Sequence, residues 1–344
     1  MKKYFVVAFV AVIAICITAF SLFNPAATEA RKTLPGLNET SVAADDSISP
    51  LAGILDSEPV SPATVINSGE LSRQWGLGYL SVETMWTLTL GSPEVVVAVL
   101  DTGMDPSHPE FAGRIKGTAN FSGSETSGDL YGHGTHIAGI IGAALNDSGM
   151  AGVAPGVSFL NVKVAEDNGT CSVDSVARGI KWAVDNGASV INISIQLAET
   201  SQALQEAVEY AQNKGVVIVA AAGNNSPGKT IYPASYSSTV TVTALTPEGN
   251  LAPLANAGEW VDFALPGYKI YSTLPGGNYG YETGTSFATA HMSGFIALLY
   301  SLVQDEDGSG NIYEEVLALL DDFSLTSEIS GYQLKTLDPG IIAR

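Results

Sequence analysis

Cysteine is almost missing from this 344-residue chain, and the two present, Cys16 and Cys171, cannot build a disulfide framework or a cysteine-based zinc site. Positive charge is scarce as well. Fifteen Lys and Arg stand against 35 Asp and Glu, a formal charge of −20, which would repel a phosphate backbone and leaves no basic footprint for a nucleic-acid partner. Only 15% of residues are charged and 46% are hydrophobic, so the chain is neither a disordered nor a collagen-like polymer. It is long enough for one large domain or two small ones, and the fold must rely on its core.

The one long apolar run lies at the start. Lys2 and Lys3 precede an almost unbroken apolar stretch over 4–23, followed by Asn24-Pro25 and the small-residue patch Ala26-Ala27-Thr28-Glu29-Ala30. This is the pattern of an export signal with positive-inside orientation. Its length is close to the ~20 residues that span a bilayer, so residues 1–30 are expected to be a signal peptide cleaved near Ala30 or a retained N-terminal membrane anchor. In either case the remainder faces outward, secreted or at the cell surface, and no other membrane contact is expected. Residues 31–70 are rich in Ser, Ala, Pro and acidic groups and lack periodicity, which makes them a linker or a short pro-segment.

From Gln74-Trp75 onward, short β-branched runs alternate with helical stretches. Strands are expected at 94–100, 158–164, 189–195, 216–221 and 239–243, and helices at 133–144, 173–185 and 201–214. The alternation predicts right-handed βαβ units and an α/β fold with a mostly parallel sheet covered on both faces. In such sheets chemistry gathers at the carboxyl ends of the strands.

Asp101-Thr102-Gly103 closes the first of these strands and puts a carboxylate at that edge. Taken alone, it could be a turn residue or one half of an aspartic-protease pair with Glu282-Thr283-Gly284-Thr285, but aspartic proteases are all-β and this chain alternates. His133-Gly134-Thr135-His136 opens a helix rich in small residues. Zinc is disfavoured because no Glu accompanies the histidines and only His108 and His291 remain elsewhere, so His136 is expected to be a packed structural residue. Ser286 follows Gly284-Thr285 at the start of a long apolar helix running through Leu302. Such a serine can be a simple N-cap, yet helix-start N–H groups also stabilise a developing oxyanion. Serine needs a base, which His133 supplies, and the histidine needs an orienting anion, which Asp101 supplies.

Asp101-Thr102-Gly103, His133-Gly134-Thr135-His136 and Gly284-Thr285-Ser286 stand in the order and rough spacing of the subtilisin-like serine proteases, which this chain resembles over residues 71 to about 320. Gly152-Val153-Ala154-Pro155, Val190-Ile191-Asn192-Ile193-Ser194 and Ala220-Ala221-Ala222-Gly223-Asn224 carry the resemblance between the motifs. It implies a three-layer, doubly wound fold with a mostly parallel central sheet over residues 71–344. The implied activity is a serine endopeptidase with the triad Asp101, His133 and Ser286. Asn224 would be the side-chain oxyanion donor, a group whose removal from a subtilisin costs ~10²–10³ in turnover.

Peptide would add as a strand between Gly169-Thr170-Cys171 and Ser194-Ile195-Gln196, with Ala222, Gly223 and Ile231 lining the pocket. The implied partner is a protein or peptide substrate, the expected state is a monomer, and no cofactor is required. Calcium is an optional ligand, because 146–152 resembles the family's calcium-binding loop, although it is one residue short. Other departures are Gln196 and Ile231 where the family commonly has glycine, a 31–70 segment too short for a folded prodomain, and Ala290 where the motif has proline. Gln196 and Ile231 suggest a narrow cleft. Cys171 would lie beside it as a packed thiol. Two rivals stay open: a peptide-binding pseudoprotease, and a dedicated maturation protease for one exported precursor. Separately, 305–312 approximates an EF-hand loop, but Val316 replaces the bidentate Glu at position 12, so a solvated, helix-capping loop is expected.

Overall fold

The run Val-Val-Ala-Val-Leu-Asp forms strand β1 (Val96–Asp101), buried along its whole length. Its side chains alternate between two cores, as the two-residue period of a strand demands. Val97 and Val99 join one hydrophobic cluster, whereas Val96, Ala98 and Leu100 join another on the opposite face. Nearly continuous apolar strands of this kind are what a sheet covered on both faces requires. The computed structural model describes residues 71–340 apart from 225–229, 306, 307 and 309; the export segment and the 31–70 linker lie outside the described residues.

Two short helices, α1 (Trp75–Tyr79) and α2 (Val82–Trp86), precede β1. After it the chain runs through β2 (Ile115–Asn120), α3 (His133–Gly142), β3 (Ser158–Lys163), α4 (Val173–Asp185), β4 (Val190–Ile193), α5 (Gln202–Asn213) and β5 (Val217–Ala221). There follow β6 (Thr239–Leu245), β7 (Phe263–Pro266), the antiparallel hairpin β8 (Ile270–Leu274) with β9 (Asn278–Glu282), α6 (Thr285–Tyr300), α7 (Tyr313–Asp322), and the hairpin β10 (Ser324–Ile329) with β11 (Tyr332–Leu337).

The main sheet has nine strands in the order β10-β11-β7-β6-β5-β4-β1-β3-β2. Every pairing from β2 to β11 is parallel, and only β10 runs against its neighbour. β1 lies between β3 and β4, so successive crossovers leave it in opposite directions and open a crevice at its carboxyl end. Helices α3, α6 and α7 pack on the Val97 face, and α4 and α5 pack on the other, giving three layers. The five expected strands and the expected helices are present with ends moved by a few residues at most. β4 stops at Ile193, two residues before the expected end, because Ser194 to Gln196 leave the sheet before Leu197 pairs with Tyr232.

Helix ends separate structural from site-bearing helices. α4 starts with a Ser172–Ser175 capping box, and α5 with Ser201 accepting the Leu204 N–H. α3 and α6 instead begin at Gly132 and Gly284, without a side-chain bond from the capping residue. Their first-turn N–H groups must be satisfied from elsewhere or left for a ligand. Among the described residues no helix is long and apolar enough to cross a membrane.

Candidate active site

β1 delivers Asp101 to the crevice and α3 brings His133 against it. The His133 Nδ1–H donates to Asp101 Oδ1 at 2.8 Å, and the Thr102 N–H donates to the same oxygen at 2.7 Å. Asp101 is buried, with 1% of its side chain exposed, whereas 24% of the His133 side chain remains open. Asp101 Oδ2 has no hydrogen-bond partner among the described residues, so its charge is not neutralised by further donors. Burial pulls the His133 imidazole down, but the charge and hydrogen bond of Asp101, with Asp129 and Glu282 behind them, outweigh it and hold the ring above its ordinary value of 6.5.

A second carboxylate fixes this pair. Asp129 is buried and accepts four hydrogen bonds: on Oδ1 from Thr102 Oγ1 (2.8 Å) and the Gly132 N–H (2.7 Å), and on Oδ2 from the Thr135 N–H (2.8 Å) and Thr135 Oγ1 (2.7 Å). It thereby caps α3 from outside the helix and ties it to the residue after Asp101. Thr102 Oγ1 accepts the Gly134 N–H in turn at 3.0 Å. Contact is so close that a Cβ on Gly134 would lie 2.1 Å from the Gly103 carbonyl, so only glycine fits. Beneath the knot, the fully buried Lys163 donates to the carbonyls of Thr102 and Gly128 and pairs with Asp167 at 2.8 Å.

Ser286 is the second residue of α6 and 8% exposed. Its hydroxyl donates to the Ser194 carbonyl at 3.3 Å, while the Ser194 hydroxyl donates to the Ser286 carbonyl at 3.0 Å. The neighbouring Phe287 ring lies 5.6 Å from the His133 ring and 4.7 Å from that of His136, which brings both histidines to the start of α6. His136 is buried and bonded to the Gly280 carbonyl at 3.3 Å; burial, then the neighbouring His133, lowers it to about 3. It is the packed, neutral residue expected of it.

Asn224 follows β5, and its Oδ1 accepts the Thr285 N–H at 3.2 Å, which leaves its Nδ2 as a donor without a partner among the described residues. Its own N–H donates to Gln196 Oε1 at 2.9 Å. Gln196 therefore reaches from the β4 end across to the β5 end. A Cβ on Gly223 would stand 2.7 Å from that same Oε1, so glycine there makes room for the bridge. Ala222 and Ile231 are buried, and the Ile231 N–H donates to Ser235 Oγ at 3.2 Å.

Ser194 is buried and Ile195 half-buried on the β4 side. On the β3 side Gly169 and Thr170 are exposed, Tyr131 stands over Gly169, and Cys171 pairs with Ala165 across a one-bridge ladder. Burial, then the charge on Asp101, pushes the Cys171 thiol up to about 11, so it stays protonated and inert.

Around loop 146–152 the polar side chains bond one another. Asn146 points its amide at Glu110 Oε2 (3.3 Å), Tyr279 donates its hydroxyl to Glu110 Oε1 (2.7 Å), and Asn146 Oδ1 accepts the Ser148 N–H (3.1 Å). Gln74 spends both ends of its amide on the Ala151 backbone. At 305–312, which the structure describes in part, Asp305 accepts the Gly310 N–H and Asn311 the Tyr313 N–H at the start of α7, while Val316 is in the core. Asn311 thus serves one N–H of the first turn of α7.

Sequence reasoning missed Asp129 and Lys163. An acid four residues before a helix-opening histidine was a legible capping signal, whereas a lysine ending a buried strand was not a readable one. The sequence model of the Subtilase family matches residues 92–317. The chain is 42% identical over 230 residues to the thermophilic serine proteinase of Bacillus sp. (strain AK1), a match covering 66% of this chain and 57% of that protein. It is 41% identical over 232 residues to thermitase of Thermoactinomyces vulgaris (67% and 83%) and 40% identical over 236 residues to subtilisin E of Bacillus subtilis (strain 168) (67% and 61%).

Two outcomes follow from the electrostatics. Asp129→Ala should lower stability by at least about 3 kcal/mol in denaturant unfolding, because it orphans two buried backbone donors together with two hydroxyls. A loss under 1 kcal/mol would show that water or a shifted loop takes over. Glu282→Gln should lower the titration midpoint of His133, followed by NMR, because a carboxylate favours the imidazolium; the shift should shrink in high salt. An unchanged or raised midpoint would remove Glu282 from the site's field.

Proposed function

Because the chain belongs to the Subtilase family, we propose that it is an exported serine endopeptidase in which Ser286 is the nucleophile, His133 the general base and acid, Asp101 the orienting anion and Asn224 the side-chain oxyanion donor. The observation that carries this reading is the 2.8 Å Asp101–His133 pair set against the first turn of a helix that presents a serine. The catalytic unit is residues 71–344, acting as a monomer on protein or peptide, with residues 1–30 directing export. No cofactor enters the chemistry.

In the reaction, rotation about one side-chain bond turns the Ser286 hydroxyl from the Ser194 carbonyl to His133 Nε2, which takes its proton as Oγ attacks the peptide carbonyl. The imidazolium is stabilised by Asp101 beside it. The carbonyl oxygen, now negative, is met by Asn224 Nδ2 and the Ser286 N–H. His133 then gives its proton to the leaving amine, the acyl-enzyme forms, and water repeats the sequence with His133 again as base. Asn224 is prepared for this role: with Oδ1 on Thr285 and its N–H on Gln196, its amide is fixed before substrate arrives.

Specificity follows from the bridge. Gln196 spans the mouth between Ser194-Ile195 and Ala222-Gly223, and the buried Ile231 takes the place of a glycine that could floor the pocket, so the acyl-side residue should be small or medium and apolar. This narrow cleft supports a processing role on few substrates over broad degradation.

Ser286→Ala and His133→Ala should each reduce hydrolysis to near background while the fold is kept, because the triad acts as a unit. A serine-directed phosphonate should label the native chain at Ser286. Failure to label, with peptide still bound, would mean a peptide-binding protein instead. In a proteome-derived peptide library read by mass spectrometry, cuts should follow small or medium apolar residues, and Gln196→Gly should raise kcat/KM after Phe or Tyr by about tenfold or more. Efficient cleavage after Phe by the native chain would contradict the narrow pocket.

A further inference from the structure

Ala290 lies inside α6, fully buried and four residues after Ser286. At this position a proline would offer no N–H to the Ser286 carbonyl and would crowd it with its ring; an alanine does neither. The Ala290 N–H is thus the regular helical suitor of that carbonyl, and a bond to it draws the nucleophile towards the helix axis. A second donor already holds the same oxygen. Ser194 Oγ reaches it at 3.0 Å from the end of β4, outside the helix.

Ser194 does not act alone. Its Oγ accepts from Asn192 Nδ2 at 2.9 Å, and Asn192 Oδ1 accepts from Ser293 Oγ at 3.0 Å. Asn192 and Ser293 are both fully buried, where polar side chains are costly unless satisfied. A hydroxyl has one proton. Because the Asn192 amide supplies a donor to Ser194 Oγ, Ser194 is free to direct its own proton at the Ser286 carbonyl. If the amide presented an oxygen instead, Ser194 would donate to Asn192 and release the nucleophile's backbone. Ser293 stands one turn beyond Thr289, whose carbonyl at 3.0 Å shares the single Ser293 proton with Asn192 Oδ1, so the chain of bonds starts and ends on the same helix.

Resting on the endopeptidase reading above, we propose that Ser293, Asn192 and Ser194 form a positioning relay which holds the Ser286 carbonyl towards β4 and so keeps its hydroxyl and N–H aimed at the cleft, the task that the alanine at 290 leaves undone. None of the three touches the reacting atoms through the side-chain bonds named. They act through Ser286. The relay sets the attack geometry and leaves peptide binding alone, so its loss falls on kcat.

The test is steady-state hydrolysis of a matched amide and ester by Ser293→Ala, Asn192→Asp and Ser293→Ala with Ala290→Pro, beside thermal unfolding of each. Ser293→Ala should lower amide kcat by about tenfold with KM within twofold, since ~1 Å of misplacement can cost ~10²-fold. Asn192→Asp, which is isosteric but presents only acceptors to Ser194, should lower it further. Adding Ala290→Pro should recover most of the Ser293→Ala loss, because it removes the competing N–H. Folded Ser293→Ala with native kcat, a loss expressed only in KM, or a folded double variant no faster than the single one overturns the relay. Should Asn192→Asp fail to fold, the other two decide. A native chain that neither hydrolyses peptide nor labels at Ser286 overturns the endopeptidase reading and the relay together, whereas an active native chain with unaffected variants overturns the relay alone.

Discussion

The carboxylate of Asp129 is the constraint on which the site is built. Asp101 comes from the end of a strand and His133 from the start of a helix, and beyond their own bond and that of the Gly134 N–H to Thr102 they need a common anchor. Asp129 joins them: it takes the Thr102 hydroxyl and the Gly132 N–H with one oxygen and the Thr135 N–H and hydroxyl with the other. An anion beside free N–H groups at a helix start is favoured by the helix dipole, so the knot is stabilising as well as geometric. Lys163 secures it from below by holding the carbonyls of Thr102 and Gly128, one residue on from Asp101 and one residue before Asp129. A lysine without water needs three such partners, and it has them.

α6 repeats the device with different chemistry. Gly284 gives its helix no side-chain cap, so the first turn is served by the sheet: Asn224 takes the Thr285 N–H, Ser194 meets the Ser286 carbonyl, and Thr285 Oγ1 accepts the Gly223 N–H at 3.1 Å. Each bond runs from a strand end to the helix start. Helix and sheet are therefore registered at the place where chemistry is read, and the Ser286 N–H remains for a ligand. Ordinary caps, such as those of Ser172 and Ser201 on α4 and α5, would have satisfied the helix locally and registered nothing.

Much of this was legible in the sequence because local pattern and global fold agree. β1 and β5 are apolar runs long enough to betray burial on both faces, and the three motifs carry their residues in family order. β2 was not legible: Ile-Lys-Gly-Thr-Ala-Asn is an edge strand with one half-exposed face and a glycine. The β10–β11 hairpin escaped because its polar residues break the two-residue period, Thr326-Ser327-Glu328 in β10 and Lys335-Thr336 in β11, and because β11 pairs with β7 through Lys335 and Phe263 alone. Gln196 was readable as a departure, yet the destination of a flexible carboxamide is set by what lies across the gap. Its acceptor role towards Asn224 exists only once two strand ends have been brought side by side.

Buried polarity is where these levels meet. Asn192, Thr285, Thr289 and Ser293 are all fully buried, in positions that apolar residues of similar volume could fill. Such replacements often cost nothing in stability, since a polar group in the interior only recovers by bonding what it loses in hydration. What apolar residues could not do is distinguish one orientation of the Ser286 backbone from another, because dispersion contacts have no preferred direction at a carbonyl oxygen. Hydrogen bonds have one. A helix start held by donors at fixed angles has fewer accessible arrangements than one held by packing, and this narrowing is what the nucleophilic role proposed for Ser286 requires. The polar groups behind Ser286 are thus best understood as giving direction, while stability comes from the apolar strands and helices on either side of them.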